Sequence, residues 1–124
     1  MTRRRLPDTR ESKIHKVVIR DNDNGSDYDL YITTGYYEDG TLGEVFLSIG
    51  KMGGTLQGLL DGWAMLLSVA MQYGIPLESL ENRFVGSNFP PAGATSDGLP
   101  CTSVFDCVMR YLLKEKRVQA VPSA

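Results

Sequence analysis

The residues best suited to chemistry surround the start of a long apolar segment. Lys51 stands just before Gly53 and Gly54, and Thr55 follows the two glycines. Because the first N–H groups of a helix have no partner within the helix, a helix that starts here, with a lysine nearby, can hold a phosphate or a carboxylate. The order is not that of a P-loop, in which the lysine follows the glycines. The alternative is a tight strand-to-helix turn in which Thr55 is the N-cap.

Asp61 is the second candidate for ligand binding. Along the helix predicted from the apolar segment (56–73), Asp61 lies near one line with Gln57, Ser68 and Gln72. Such a thin polar line is either a slit open to water or a row of buried groups that have hydrogen-bond partners. The other side chains are mostly apolar or small, so we expect the sheet on one side of this helix and other helices or a second subunit on others.

Arg110 is the third candidate. It follows Asp106 by four residues in a predicted C-terminal helix, a spacing typical of a surface ion pair worth roughly a few tenths of a kcal/mol. An arginine that reaches a bound anion has the same pattern, so both interpretations stay open. The predicted buried side of this helix carries Cys101, Val104, Phe105, Val108 and Leu112, and the predicted solvent-facing side carries Ser103, Asp106, Arg110, Lys114 and Arg117.

The two cysteines and the single histidine predict no metal site, no cofactor and no catalytic residue. Cys101 and Cys107 both fall in the predicted C-terminal helix, on different faces, and we interpret them as small buried residues of a protein in a reducing compartment. They form no Cys-x-x-Cys motif, and with one histidine a zinc site has too few ligands. His15 falls in a predicted strand without a paired nucleophile, which argues against a stand-alone enzyme.

Length and composition fit a single soluble domain. The chain has 124 residues, a hydrophobic fraction of 42% and a formal net charge of −2, which give no sign of disorder or of nucleic-acid binding. We expect a basic extended arm at 1–12, one domain at 13–117 and a flexible tail at 118–124. The arm either touches an anionic partner or is a solvated segment. The sequence shows no signal peptide and no membrane span, so we expect a cytoplasmic location.

The hydrophobic pattern predicts an α+β fold. Three segments rich in β-branched residues or alternating in polarity predict a three-stranded antiparallel meander: 14–20, 28–37 and 43–49. Asp39-Gly40 is a hairpin signal between the second and third strands. A buried central helix, a short helix after Pro76 and the C-terminal helix follow. The Pro/Gly-rich loop 86–100 is either functional or a solvated connection.

Two glycines predict how the central helix is covered. Gly58 and Gly62 stand four residues apart, and this spacing lets another backbone approach closely. Three strands and two helices are too few to cover so apolar a helix. We therefore predict a symmetric homodimer in which the central helices pack across the two-fold axis.

Four stretches, in the same order, carry a resemblance to a known family. They are RRRLPDTRES followed by HK, GYYEDGTLGEVFLSIGKMGGTLQGLLDGWA, MQYGIPLESLENRFVGSNFPPAG and TSVFDCVMRYL. The most specific parts are YEDG with the following GE, KMGGTLQGLLD and QYGIPLE. The chain resembles, over roughly 3–113, the TSCPD domain, a small module near the C-terminus of adenosylcobalamin-dependent (class II) ribonucleotide reductases that also occurs as free-standing proteins.

The resemblance implies a non-catalytic part of a reductase. In those enzymes the radical chemistry belongs to a large barrel domain with redox cysteines and bound cobalamin, for which this chain has neither the length nor the cysteines. A reductase also ends in a cysteine-pair tail, and no such pair precedes Ala124. Cys101 and Cys107 fall where the family usually has small apolar or aromatic residues, so the resemblance assigns them no redox role, and it supplies no catalytic residue.

Two functional hypotheses from different classes follow. The first is a free-standing accessory or regulatory subunit that docks on a ribonucleotide reductase or on itself. The alternative is a protein that binds or sequesters a small ligand, in the first place a nucleotide. The candidate ligand-binding residues are Lys51, Gly53, Gly54, Thr55, Asp61 and Arg110.

Overall fold

The structure is a computed structural model that describes residues 2–50 and 53–120, with side chains described as far as Lys116. Three antiparallel strands form one sheet in the order β1-β2-β3. They are β1 (Ser12–Arg20), β2 (Asp27–Tyr36) and β3 (Leu42–Ile49). The predicted meander is therefore confirmed.

Helices complete the α+β fold that the sequence predicts. They are α1 (Gly54–Gln72), a 3-10 helix (Leu77–Leu80) that continues into the one-turn helix α2 (Glu81–Phe84), and α3 (Val104–Ala120). Helix α1 ends in a Schellman motif, because the Gly74 N–H donates to the Met71 carbonyl and the Ile75 N–H to the Ala70 carbonyl, both at 3.0 Å. Gly74 has a φ of 87°, which glycine adopts without steric cost.

The outer edge of β3 is covered by polar side chains of α1. Gln57 accepts a hydrogen bond from the Ile49 N–H at 3.1 Å and donates to the Leu47 carbonyl at 3.0 Å. At the end of α1, the Gln72 side-chain amide donates to the Gly43 carbonyl at 3.0 Å. The predicted polar line is thus largely a row of partnered groups, which satisfies backbone groups of an edge strand that would otherwise be open to pairing.

The outer edge of β1 is covered by the 86–100 loop. The Arg20 N–H donates to the Ala94 carbonyl at 2.9 Å, and the Ser96 N–H donates to the Val18 carbonyl at 3.0 Å. The loop fits closely at Gly93, where a Cβ atom would lie 2.1 Å from the Arg20 carbonyl oxygen. The loop is therefore part of the folded domain, since its backbone is hydrogen-bonded to the edge strand and forms an isolated bridge between Thr95 and Ile19.

One hydrophobic core lies between the inner face of the sheet and the helices. Each strand contributes alternate residues to it, as the period of two requires. The most deeply buried members include Ile19, Leu30, Ile32, Leu60, Met109 and Leu112. At one side of the core Trp63 stacks on Phe105, with ring centroids 4.2 Å apart.

Two predictions about α3 are wrong. The helix begins at Val104, later than predicted, and Cys101 lies before it in an isolated bridge with Gly93. Ser103 and Asp106, predicted to face solvent, are both buried. The periodicity of α3 alone predicts that both residues face solvent. The segment after α2 covers this end of the helix, however, since the Gly86 N–H donates a hydrogen bond to Asp106.

Candidate functional site

The predicted anion site at the start of α1 is only partly described. Gly53 is the N-cap, in extended conformation, and as a glycine it has no side chain with which to cap the helix. The prediction that Thr55 is the N-cap is wrong, because the helix begins at Gly54 and Thr55 lies in its first turn. Gly53, Gly54 and Thr55 are exposed. Lys51 lies outside the described residues, so the predicted pairing of a lysine with these N–H groups stays a prediction.

Asp61 lies at the mouth of a groove between α1 and β3. Its carboxylate accepts a hydrogen bond from the Gln57 amide at 2.8 Å, and the side chain is exposed. The groove has a volume of about 280 Å³ and is also lined by Arg3, Phe46 and Met65. Asp61 is thus the one exposed member of the polar line, placed beside apolar side chains.

Arg110 has a structural partner in a buried carboxylate. Its Nε donates to Asp106 at 2.9 Å, and Asp106 also accepts from the Gly86 N–H at 2.8 Å and the Thr102 N–H at 3.2 Å. The Asp106 N–H in turn donates to Ser103 Oγ at 3.0 Å, as expected of an N-cap serine. Asp106 therefore joins the start of α3 to the segment after α2.

The electrostatics of Asp106 follow from these contacts. Burial acts to raise its pKa, but the hydrogen bonds from Gly86, Arg110 and Thr102 together outweigh burial and hold the pKa below the ordinary value of 3.8. The carboxylate is therefore charged at neutral pH. Sequence analysis missed this junction, because Gly86 is remote from Asp106 in the chain.

The structure places two of the predicted ligand-binding residues, Asp61 and Arg110, in different cavities. Asp61 lines the groove between α1 and β3, whereas Arg110 lines a different cavity of about 260 Å³ beside β1 and α3. In this second cavity His15 stacks on Tyr111, with ring centroids 4.4 Å apart, and its Nε2 lies 3.2 Å from an Asp97 carboxylate oxygen. In the described part of the chain, Asp61 and Arg110 therefore do not line one common pocket.

Cys101 and Cys107 line this second cavity together, and their thiols interact with each other. The prediction that they lie on different faces of one helix is wrong, because Cys101 precedes α3 and its side chain meets Cys107 from outside the helix. Both thiols are free.

A third cavity, of about 530 Å³, lies at the C-terminal end of α1. It is lined by Arg4 and Tyr37, by Tyr73 and by Lys116 of α3, so aromatic rings and cations share one space. The arm supplies part of its wall, since the Arg4 N–H donates to the Gln72 carbonyl at 2.8 Å and the guanidinium lies 3.9 Å from the Tyr37 ring centroid. The sequence signal for this cavity was the basic arm.

A second cation of the arm is fixed by an ion pair. Arg10 makes two hydrogen bonds to the Glu44 carboxylate, one of them at 2.9 Å. Glu44 is buried, and its side chain packs on Gly35 of the neighbouring strand. A Cβ atom at Gly35 would overlap the Glu44 side chain. The arm therefore contacts the domain through Arg3, Arg4 and Arg10.

Helix α1 leaves one side uncovered. We call this surface the bare side of α1; its exposed residues are Gly58, Leu59, Gly62, Met65 and Leu66. Leu66 is 71% exposed and Met65 67%. A Cβ atom at Gly58 or Gly62 would meet nothing within 4 Å, so no part of the described chain packs on these glycines.

Two absences concern the described residues only. Among them, no group of three or more His, Cys, Asp and Glu side chains is placed to hold a metal ion. None of the helices within that part of the chain has the length and apolar character that crossing a membrane requires.

Comparison with known proteins identifies the family. The model of the TSCPD domain family matches residues 3–116. Vitamin B12-dependent ribonucleotide reductases are similar to the chain: that of Rhodopirellula baltica is 42% identical over 112 residues, 89% of this chain but 10% of the reductase. That of Streptantibioticus cattleyicolor is 37% identical over 92 residues, 74% of this chain and 15% of the reductase. No solved structure matches.

Since the family model covers nearly the whole chain, this chain belongs to the TSCPD domain family.

Proposed function

We propose that this domain is an accessory or regulatory module that docks on a ribonucleotide reductase and has no catalytic activity of its own. Its membership in the TSCPD family and its similarity to vitamin B12-dependent ribonucleotide reductases support the partner. The chain spans only about a tenth of the length of the Rhodopirellula baltica reductase. A domain that makes up so small a part of a larger protein needs a surface on which the rest of that protein packs.

The bare side of α1 is the observation that carries the proposal. Exposed apolar side chains that lie together on one helix face usually mark a protein interface. The surface extends from the helix to the sheet, because Met65 of α1 and the exposed Phe46 of β3 line the same groove. Gly58 and Gly62 add a flat strip on which another backbone can lie closely.

Two exposed leucines give a matched test. Leu66 lies on the bare side of α1 and Leu99 in the 86–100 loop, and both are 71% exposed. In a pull-down of a vitamin B12-dependent ribonucleotide reductase from the same source, we expect Leu66→Glu to weaken binding by about tenfold or more, the cost of losing a buried leucine at an interface. Leu99→Glu adds the same charge elsewhere and is expected to leave binding unchanged. If both variants bind as well as the wild type, the bare side of α1 is not the docking surface.

Nucleotide binding is the second candidate, and the cavity at the end of α1 favours it. Its volume of about 530 Å³ suits a small ligand, Arg4 and Lys116 supply positive charge, and Tyr73 and Tyr37 supply aromatic surface. Both cations also have carboxylate partners, Asp39 at 3.3 Å and Glu78 at 3.0 Å, so a phosphate would compete with these ion pairs.

A thermal-shift panel of nucleotides tests this candidate. A ligand at 100 times its Kd stabilises the folded state by about 2.7 kcal/mol. If the cavity binds the nucleotide, Tyr73→Ala and Lys116→Ala reduce the shift, whereas Lys51→Ala and Arg110→Ala reduce it if the site predicted from sequence is used. No stabilisation by any nucleotide would exclude both sites.

A further inference from the structure

The two cysteines of the chain occupy one wall of the cavity beside β1 and α3. Cys101 is buried and fixed on both sides of its backbone, since its N–H and carbonyl bond to Gly93 at 3.0 and 2.9 Å. Cys107 lies in the first turns of α3 and is half-buried. The two thiols interact, and the cavity opens past Leu99 and Asp97, which are exposed.

The surroundings make the two thiols chemically different. The hydrogen bond from Cys107 lowers the pKa of Cys101; burial opposes this, and backbone hydrogen bonds from Gly93 and Ser103 support it. The pKa of Cys107 is raised, first by its hydrogen bond to Cys101 and then by burial. Cys101 is therefore the residue that ionises first, and a thiolate is the nucleophile in exchange with disulfides.

We propose that Cys101 and Cys107 form a thiol–disulfide exchange site that closes reversibly to an intramolecular disulfide when it meets an external disulfide of the glutathione class. Two free thiols that interact in the lining of one open cavity carry this proposal. A disulfide needs its Cα atoms about 4.4–6.8 Å apart, and a shared place in the wall of so small a cavity brings two cysteines toward such a geometry. The site is independent of the docking surface on α1.

The reaction balances in two exchanges. Cys101 gives its proton to solvent, and its thiolate attacks one sulfur of the external disulfide; a mixed disulfide forms and one external thiolate leaves. That thiolate takes the proton of Cys107. The Cys107 thiolate then attacks the Cys101 sulfur and expels the second external thiolate. Two protein thiols are oxidised and one external disulfide is reduced to two thiols.

The proposed exchange can be tested directly by mass spectrometry, because Cys101 and Cys107 are the two cysteines of the sequence. The full folded chain is incubated with oxidised glutathione at neutral pH and examined by intact-mass and peptide mass spectrometry. We expect a product that has lost two hydrogen atoms, carries no glutathione and links Cys101 to Cys107, and we expect dithiothreitol to reverse it. A wild-type chain that stays unmodified, keeps a glutathione adduct, or forms only intermolecular disulfides would overturn the proposal.

Two variants test the order of the steps. In Cys107→Ser the mixed disulfide on Cys101 has no resolving thiol, so a glutathione adduct accumulates. In Cys101→Ser the hydrogen bond that contributes most to the raised pKa of Cys107 is gone, but burial still raises that pKa, so we expect its adduct to form more slowly than that of Cys107→Ser. Equal rates for the two variants would show that Cys101 is not the attacking thiol, and circular dichroism of each variant confirms that it is folded.

Discussion

The hydroxyl of Ser68 lies within hydrogen-bonding distance of both the backbone N–H and the backbone carbonyl of Val45. Its Oγ accepts from the Val45 N–H at 2.9 Å and lies 3.2 Å from the Val45 carbonyl oxygen, and the same hydroxyl lies 2.8 Å from the Ala64 carbonyl of its own helix. A single hydroxyl has one proton, so it donates to one carbonyl at a time. A helix side chain thus takes the place that a neighbouring strand would have at the edge of β3.

Removal of this hydroxyl tests its contribution to stability. Ser68→Ala leaves the buried Val45 N–H without its partner, and we expect the free energy of unfolding to fall by about 1–3 kcal/mol. Ser48→Ala is the matched control, because Ser48 is an exposed residue of β3, the strand that contains Val45. Loss of the Ser48 hydroxyl is expected to change the free energy of unfolding by less than about 0.5 kcal/mol. Urea unfolding of both variants, followed by circular dichroism, is the measurement; equal losses would show that the contact adds nothing.

Asp106 predicts an acid-dependent loss of stability. Its pKa in the folded protein lies below the ordinary value of 3.8. The charged carboxylate therefore stabilises the fold fully at pH values above the pKa that Asp106 has in the unfolded chain. This stabilisation is lost as the pH falls through the folded pKa. We expect Asp106→Asn to cost about 1.5–3 kcal/mol at pH 7, because the Asn amide group cannot accept both backbone hydrogen bonds.

The difference between wild type and Asp106→Asn isolates this one group. It is expected to be constant above about pH 5 and to shrink as the pH falls below about 4, because Asp106 of the unfolded chain then binds a proton while the folded protein still holds the carboxylate charged. Urea unfolding across this pH range gives the difference at each pH. A difference that stays constant down to pH 2 would mean that the hydrogen bonds to Asp106 do not depend on its charge.

Gly93 is required by its backbone conformation and its contact. It has a φ of 155°, and a Cβ atom would lie 2.1 Å from the Arg20 carbonyl oxygen. Gly93→Ala is expected to destabilise the domain by about 1–3 kcal/mol or more, because the loop must move away from β1. At Gly50 a Cβ atom meets nothing within 4 Å in the described part of the chain, so Gly50→Ala is the control and is expected to be close to neutral in thermal unfolding. Similar melting temperatures for the two variants would contradict the close fit of the loop.

The predicted homodimer has a test of its own at Gly62. A Cβ atom at this position meets no described atom of the same chain within 4 Å, so Gly62→Gln is expected to stabilise the isolated helix by about 0.5 kcal/mol. If the bare sides of two α1 helices pack across a two-fold axis, the same substitution prevents their close approach. Sedimentation velocity at micromolar protein is then expected to show a wild-type dimer and a Gly62→Gln monomer. A wild type that is monomeric throughout would contradict the homodimer.

Much of the fold follows from local pattern. Alternation along the strands and the Asp39-Gly40 turn predict the meander, and the period of the apolar residues predicts the helices. The sequence also limits the polar line of α1 to two interpretations. The choice between them depends on where α1 runs relative to β3, which no periodicity specifies. Only the structure shows Gln57, Ser68 and Gln72 at the edge of that strand.

The candidate sites were less predictable, because they depend on contacts between distant segments. Asp106 has the spacing of a solvent-facing residue, and its burial results from a segment about 20 residues earlier that folds over the start of α3. The pairing of Cys101 with Cys107 depended on a helix boundary, and a start three residues later moved Cys101 off the helix. Boundaries of this kind are the least certain part of any pattern-based assignment.

The most direct test of the proposed function is the effect of this chain on a reductase. The chain is titrated into a vitamin B12-dependent ribonucleotide reductase from the same source, and deoxyribonucleotide formation is followed. We predict a saturable change in the rate that Leu99→Glu preserves and that Leu66→Glu shifts to about tenfold higher concentration or abolishes. An unchanged rate at every concentration, with no complex in sedimentation, would contradict the proposal that the domain is a reductase module.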